Sequence, residues 1–184
     1  AHNGASLESV LSVLREYEPK RLVCLFGSVG GRTKTRRAEL AAAASKYCDL
    51  CILTSDNPGN ESPDQIIADI AAAFSHEKYV CIPDRYEAIA YAVKHARKGD
   101  AVVLAGKGHE NYQLINGKRL PFSEREILLE NDSEDIRATR RVIAGLQGRE
   151  GVLDCGESGS TLRFLLPLCL LSDKRVSFVG HGRL

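Results

Sequence analysis

At 184 residues, 43% of them hydrophobic and 27% charged, the chain can bury a core of normal size and has an ordinary composition for a soluble protein. A formal net charge of +1 excludes a global field that would gather nucleic acid or an anionic membrane. No apolar stretch approaches the roughly 18 residues that a spanning helix needs. No basic-then-apolar leader opens the chain, and the six cysteines lack the spacing of a disulfide scaffold, so a cytoplasmic protein is expected. Methionine is absent and the chain opens Ala1-His2-Asn3, as after removal of an initiator or in a domain taken from a longer protein.

Helix and strand signals alternate from about residue 7 to 131. Leu7, Val10, Leu11 and Leu14 repeat at helical spacing, and Arg21–Phe26 is a short apolar strand ending in glycine. A glycine loop leads to an Ala-rich helix over 38–46. Asp49–Thr54 reads as the next strand, closed by a Ser-Asp-Asn-Pro turn. Pro63 opens a helix over 63–74. Tyr79–Ile82 is a third strand, 84–97 a helix and Ala101–Ala105 a fourth strand. Tyr112–Ile115 and Lys118–Leu120 make a hairpin around Asn116-Gly117, with Ser123–Glu130 as a closing helix. Beyond 131, Ser133 caps a helix to about Leu146, Val152–Asp154 is a short strand, Ser158–Leu171 an apolar helix and Arg175–Val179 a strand.

This order predicts an α/β domain over 1–130, a Rossmann-like, mostly parallel sheet with helices on both faces and a C-terminal hairpin. A short βα-type tail follows over 131–184. In such sheets ligands sit beyond the carboxyl ends of the strands, and three motifs fall there. Gly27-Ser28-Val29-Gly30-Gly31 precedes a helix, so it is either an anion cradle of free N–H groups or a tight structural turn; it matches neither a dinucleotide fingerprint nor a P-loop. Arg32 follows it with a bidentate fork for a carboxylate, and Arg32, Lys34, Arg36 and Arg37 form either a phosphate clamp or a solvated helix face. Asp56-Asn57-Pro58 offers a carboxamide donor and acceptor suited to a zwitterion, or else a self-bonded Asx turn. In Gly106-Lys107-Gly108-His109-Glu110, the Glu110 carboxylate either receives an ammonium group or closes a loop ion pair.

Cys48 and Cys51 form a C-x-x-C placed at the start of a strand, where residues three apart point to opposite faces and cannot chelate one ion. They read as buried structural thiols, like Cys24 and Cys81, and no metal is expected. His76 and His95 read as exposed helix residues.

The ordered segments AHNGASLESVL, FGSVGGRTKTRR, LTSDNPGNESPDQIIADI, PDRYEAI, GDAVVLAGKGHENYQ and PFSEREI closely resemble the C-terminal domain of the Mur ligases, nearest the MurE-type tripeptide synthetases. In that family ATP, with Mg2+, phosphorylates the D-Glu carboxylate of UDP-N-acetylmuramoyl-L-Ala-D-Glu, and a diamino acid attacks the acyl phosphate. The resemblance implies that Arg32 binds the amino acid's carboxylate and that Asp56, Asn57 and Pro58 build its pocket. It also implies that Gly106 and Glu110 meet the distal end of the side chain, with His2 near the nucleotide. Two departures stand out. Enzymes that use meso-diaminopimelate usually read DNPR where Gly59 stands here, which opens the pocket to L-lysine as well, and the usual Arg-Asp pair reads Arg32-Thr33. The family's P-loop, magnesium-binding lysine and UDP-sugar domain lie upstream of this region, so the chain alone is not expected to catalyse ligation.

Residues 133–184 resemble another family, the 3-phosphoshikimate 1-carboxyvinyltransferases (EPSP synthases), through SEDIRATRRVIAGL, DCGESGSTLRFLLP and GHGRL. That resemblance implies Gly159 and Arg183 as contacts for phosphoenolpyruvate. The alternatives to a ligase domain are therefore a carboxyvinyltransferase fragment or a truncated fusion with no activity.

Overall fold

A computed structural model describes residues 3–131, 134–148, 151–156, 162 and 176–181. Contacts divide the chain into two compact units, Ala1–Leu128 and Leu129–Leu184. The first holds helices α1 (Gly4–Glu16), α2 (Lys34–Tyr47), α3 (Pro63–Ala71), α4 (Arg85–His95) and most of α5 (Glu124–Glu130). Its strands are β1 (Arg21–Phe26), β2 (Leu50–Leu53), β3 (Tyr79–Cys81), β4 (Asp100–Leu104), β5 (Tyr112–Ile115) and β6 (Lys118–Pro121).

Strands β1 to β4 form one parallel sheet in the order β3-β2-β1-β4, the expected doubly wound arrangement, and β5 and β6 pair antiparallel as a separate hairpin. Asn116 and Gly117 both take positive φ, +50° and +71°, as a primed turn requires. Period-two alternation divides the sheet between two cores. Leu22, Cys24 and Phe26 of β1, with Cys51 and Leu53 of β2, pack against α1, α2 and α3. Val23, Leu25 and Ile52 pack on the other face against α4 and Ile127 of α5.

The caps follow local chemistry. Asn3 accepts from Ser6 N at 2.8 Å to start α1, and Asp84 accepts from Glu87 N at 3.0 Å to start α4. Helix α2 begins four residues before its Ala-rich stretch and so takes Lys34, Arg36 and Arg37 into its first turns. Arg15 links the layers, donating from Nε to Tyr47 O at 2.7 Å and from Nη2 to Asp49 Oδ2 at 2.6 Å.

Three expectations change. Cys48 caps the end of α2 instead of opening a strand, and the backbone turn before β2 brings it to the same face as Cys51. Cys24, Cys48 and Cys51 consequently lie together in the α1–α2–α3 core, where Cys24 and Cys51 are also register partners. Their contacts with Cys48, and then burial, push the Cys24 and Cys51 thiols up; Cys48, the shared acceptor, is held below the usual thiol value. Among the described residues no group of three or more ligands could hold a metal ion. Cys81 is exposed, because β3 is an edge strand. His76 lies beyond the end of α3, with its ring edge against Phe74 and Nε2 at 3.3 Å from Ser45 O; His95 is exposed, as expected.

The second unit contains α6 (Glu134–Gly148), β7 (Val152–Asp154) and β8 (Ser177–Val179). Strands β7 and β8 pair parallel, and Val142, Leu153 and Cys155 form a small core with Leu146, Val176 and Phe178. Apart from Leu162, the expected helix over 158–171 lies outside the described residues. No helix among the described residues is long and apolar enough to cross a membrane.

Candidate functional site

The carboxyl ends of β1, β2 and β4 bring the three motifs together. Beneath them lies Arg85, buried at the start of α4. It donates to Ser55 O at 3.0 Å, to Ala105 O at 2.8 Å and twice to Glu124 Oε1, at 2.9 and 2.7 Å. One guanidinium thus joins the ends of β2 and β4 to α5, and its fixed fork suits that geometry.

The glycine loop is a structural turn. Gly30 N donates to Asn57 O at 2.9 Å and Gly31 N donates to Glu61 Oε1 at 2.6 Å, so two of the N–H groups that an anion would need are engaged. A Cβ on Gly30 would lie 1.9 Å from Pro58 O, so its missing side chain lets the two loops meet backbone to backbone. The basic cluster is also neither clamp nor solvated face throughout. Arg37 is buried, with Nη2 at 2.5 Å from Glu61 Oε2 and Nη1 at 2.7 Å from Asp69 Oδ2. Bonds from Arg37, and then from Gly31 N, hold the Glu61 carboxyl below its ordinary range. Arg32 is exposed, immediately before the Thr33 N-cap of α2, and Lys34 lies 3.4 Å from Asp69 Oδ2.

Asp56 and Asn57 do not form a self-bonded turn. Lys107, whose side chain is fully buried, donates to Asn57 Oδ1 and to Glu110 Oε2 at 3.3 Å, and lies 3.4 Å from Asp56 Oδ1. Asn57 Oδ1 also accepts from Leu114 N at 2.9 Å, and Asn57 Nδ2 donates to Glu110 Oε2 at 3.0 Å. Gln113 Nε2 donates to Asp56 O at 3.1 Å. Gly106 has φ +112°, and a Cβ there would lie 2.8 Å from Asp56 Oδ2, so only glycine lets the β4 loop approach that carboxylate. Pro58 is buried beside Gly30, and Gly59 bonds the hairpin through Leu114 O and Asn116 N.

Of the expected amino-acid residues, Asp56, Asn57 and Glu110 therefore share one cluster, with Gly106 and Pro58 shaping its walls. Arg32 makes none of the bonds in that cluster, and His109 is exposed. His2, Gly159 and Arg183 lie outside the described residues. The loop ion pair that the sequence offered as one alternative is present, between Lys107 and Glu110, but sequence reasoning missed that Lys107 is buried and also reaches Asp56 and Asn57. Gln113 and Glu61 carried no signal beyond their place near the turns. A cavity of about 260 Å³ adjoins the cluster, lined by Ser55, Asp64, Asp84 and Gln113 among others. Ser55 Oγ and Ser28 Oγ are buried without a hydrogen-bond partner among the described residues.

A family described as Mur ligase, glutamate ligase domain, matches residues 1–108. The chain is 47% identical over 132 residues to the UDP-N-acetylmuramoyl-L-alanyl-D-glutamate--2,6-diaminopimelate ligase of Caldanaerobacter subterraneus subsp. tengcongensis, which covers 71% of this chain and 27% of that protein. It is 46% identical over 127 residues to the ligase of the same name from Coxiella burnetii, covering 68% of this chain and 26% of that protein. A solved structure of such a ligase superposes with a TM-score of 0.68 at 40% identity, over 71% of this chain and 27% of the other. The chain spans about a quarter of the length of these relatives. None of the three is a carboxyvinyltransferase.

Proposed function

The chain belongs to the Mur ligase family, and from that premise we propose that residues 1–130 are the amino-acid-recognising domain of an ATP-dependent ligase. That ligase joins a diamino acid to UDP-N-acetylmuramoyl-L-Ala-D-Glu in peptidoglycan synthesis, in the cytoplasm. The observation that carries this reading is the cluster of Asp56, Asn57, Lys107 and Glu110 at the carboxyl ends of β2 and β4. The Asp56 and Glu110 carboxylates are acceptors of the kind that a ligand ammonium group needs. Arg32, exposed beside the cluster's loops, supplies the fork for the α-carboxylate.

The chain's own residues bind and orient the amino acid, so that its attacking amine meets an acyl phosphate formed on the D-Glu carboxylate. Among the described residues, the glycine loop does not fit the nucleotide's phosphates and no cluster fits its magnesium. The N–H groups of Gly30 and Gly31 are engaged by protein acceptors, and no metal-ligating group stands among the described residues. ATP and Mg2+ would be held mostly by other domains, so no ATP-dependent step is assigned to these side chains.

The relatives' names point to diaminopimelate, while Gly59 points to L-lysine, because no arginine stands in the turn to meet a distal carboxylate. Calorimetric titration of the chain with L-lysine and meso-diaminopimelate, beside Arg32→Ala and Glu110→Ala, tests both readings. Binding of one amino acid, lost in both variants, is expected. No binding of either, even with the upstream domains of a relative supplied, would sink the proposal.

A further inference from the structure

Lys107 stands between two glycines, yet its side chain is completely buried. Removing a lysine ammonium from water costs several kcal/mol unless charged and polar partners replace the solvent. Here the partners are residues to which amino-acid recognition falls. Nζ donates to Asn57 Oδ1 and Glu110 Oε2, lies 3.4 Å from Asp56 Oδ1 and sits 5.6 Å from the centre of the Tyr112 ring. Asn57 shows the consequence most clearly. With Oδ1 accepting from both Lys107 and Leu114 N, its carboxamide must turn Nδ2 toward Glu110. A flipped amide would set its N–H groups against an ammonium and a backbone N–H. Glu110 Oε2 in turn accepts from both Lys107 and Asn57, which fixes the carboxylate from two sides.

We infer that Lys107 is the positioning residue of the amino-acid pocket. Its buried ammonium sets the Asn57 carboxamide and the Glu110 carboxylate in one orientation. The resemblance to the Mur ligases implies no role for this lysine, and the inference rests on the cluster being the amino-acid site. Without Lys107 the Asn57 carboxamide keeps only the Leu114 N–H on Oδ1, and Glu110 Oε2 loses one of the two donors that fix it.

The test uses the whole 184-residue chain, isotope-labelled for NMR, as wild type, Lys107→Met and Lys107→Ala. In wild type the Lys107 ammonium is expected to give its own slowly exchanging nitrogen–proton correlation. In Lys107→Met, which keeps the length of the stem, the Asn57 side-chain amide and the Leu114 backbone amide shift while the rest of the sheet keeps its spectrum. Added ethylammonium moves the Asn57 pair in Lys107→Ala back toward its wild-type position, and ethanol does not. Lys107→Met also weakens binding of the preferred diamino acid by about tenfold or more, or about 1.4 kcal/mol. A folded Lys107→Met with wild-type Asn57 and Leu114 resonances overturns the inference. So does a wild-type Lys107 ammonium that exchanges as fast as a surface lysine, a measurement that decides even if both variants fail to fold. These resonances need no amino acid. Wild-type resonances as expected, with neither L-lysine nor diaminopimelate bound, would therefore count against the amino-acid reading alone.

Discussion

Gly59 follows Asp56-Asn57-Pro58 at a φ of +63°, in the left-handed region, and a Cβ there meets nothing within 4 Å. Space is thus available for a side chain, and the obstacle is backbone conformation, worth about 1–2 kcal/mol for a residue other than glycine. An arginine there could pair bidentately with a distal carboxylate. Gly59→Arg should therefore raise affinity for meso-diaminopimelate relative to L-lysine by about tenfold or more, at a cost in stability of about 1–2 kcal/mol. Competition calorimetry with the two amino acids, and denaturant midpoints of both proteins, check the two halves. An unchanged preference would mean that position 59 does not face the distal end of the ligand.

At the scale of elements, the β1–α2 loop and the β2–α3 loop behave as one piece. Gly30 bonds Asn57 O, Gly31 bonds Glu61, and Arg37 of α2 joins Glu61 to Asp69 of α3. Asp56 and Asn57, the proposed pocket residues, are therefore placed by contacts that begin in a different βα unit. Gly30→Ala drives a methyl group into Pro58 O, a backbone atom that cannot rotate away. We expect a loss of about 1–3 kcal/mol in urea unfolding, the usual range for overpacking, together with shifted amide resonances at Asn57 and Glu61. A wild-type midpoint would show that the two loops separate without cost.

At the scale of the whole molecule, the buried and half-buried ion pairs give stability a definite pH dependence. A bond from Arg21, opposed by burial, holds the Asp100 carboxyl below its ordinary value. Bonds from Arg37 do the same for Glu61 and Asp69. A carboxyl with a folded pKa below its unfolded one contributes stability that is complete above the unfolded value, about 4, and is lost as pH falls through the folded value. Unfolding free energy should thus be flat with respect to these groups near neutral pH and fall steadily below about pH 4. Urea titrations at a series of pH values test this, and Arg37→Met should flatten the acid limb. A variant with the wild-type slope would remove Glu61 and Asp69 from the cause.

The order of elements from 7 to 131, the parallel sheet, the hairpin turn at Asn116-Gly117 and the grouping of three motifs at one end of the sheet were all legible in the sequence. They depend on local periodicity, glycine, proline and capping chemistry, which act over a few residues. Family membership was legible for the same reason, since the motifs are short and ordered. Tertiary structure alone decided that Gly30 serves a backbone contact in place of an anion, and that Cys48 shares a face with Cys51. It alone buried Lys107 and added Asp56 and Asn57 to its loop pair with Glu110. The Gly30 and Lys107 contacts depend on partners distant along the chain, Pro58 and Asn57, and no local pattern encodes which distant loop will fold against a residue; the Cys48 contact depends on where α2 ends and the chain turns into β2.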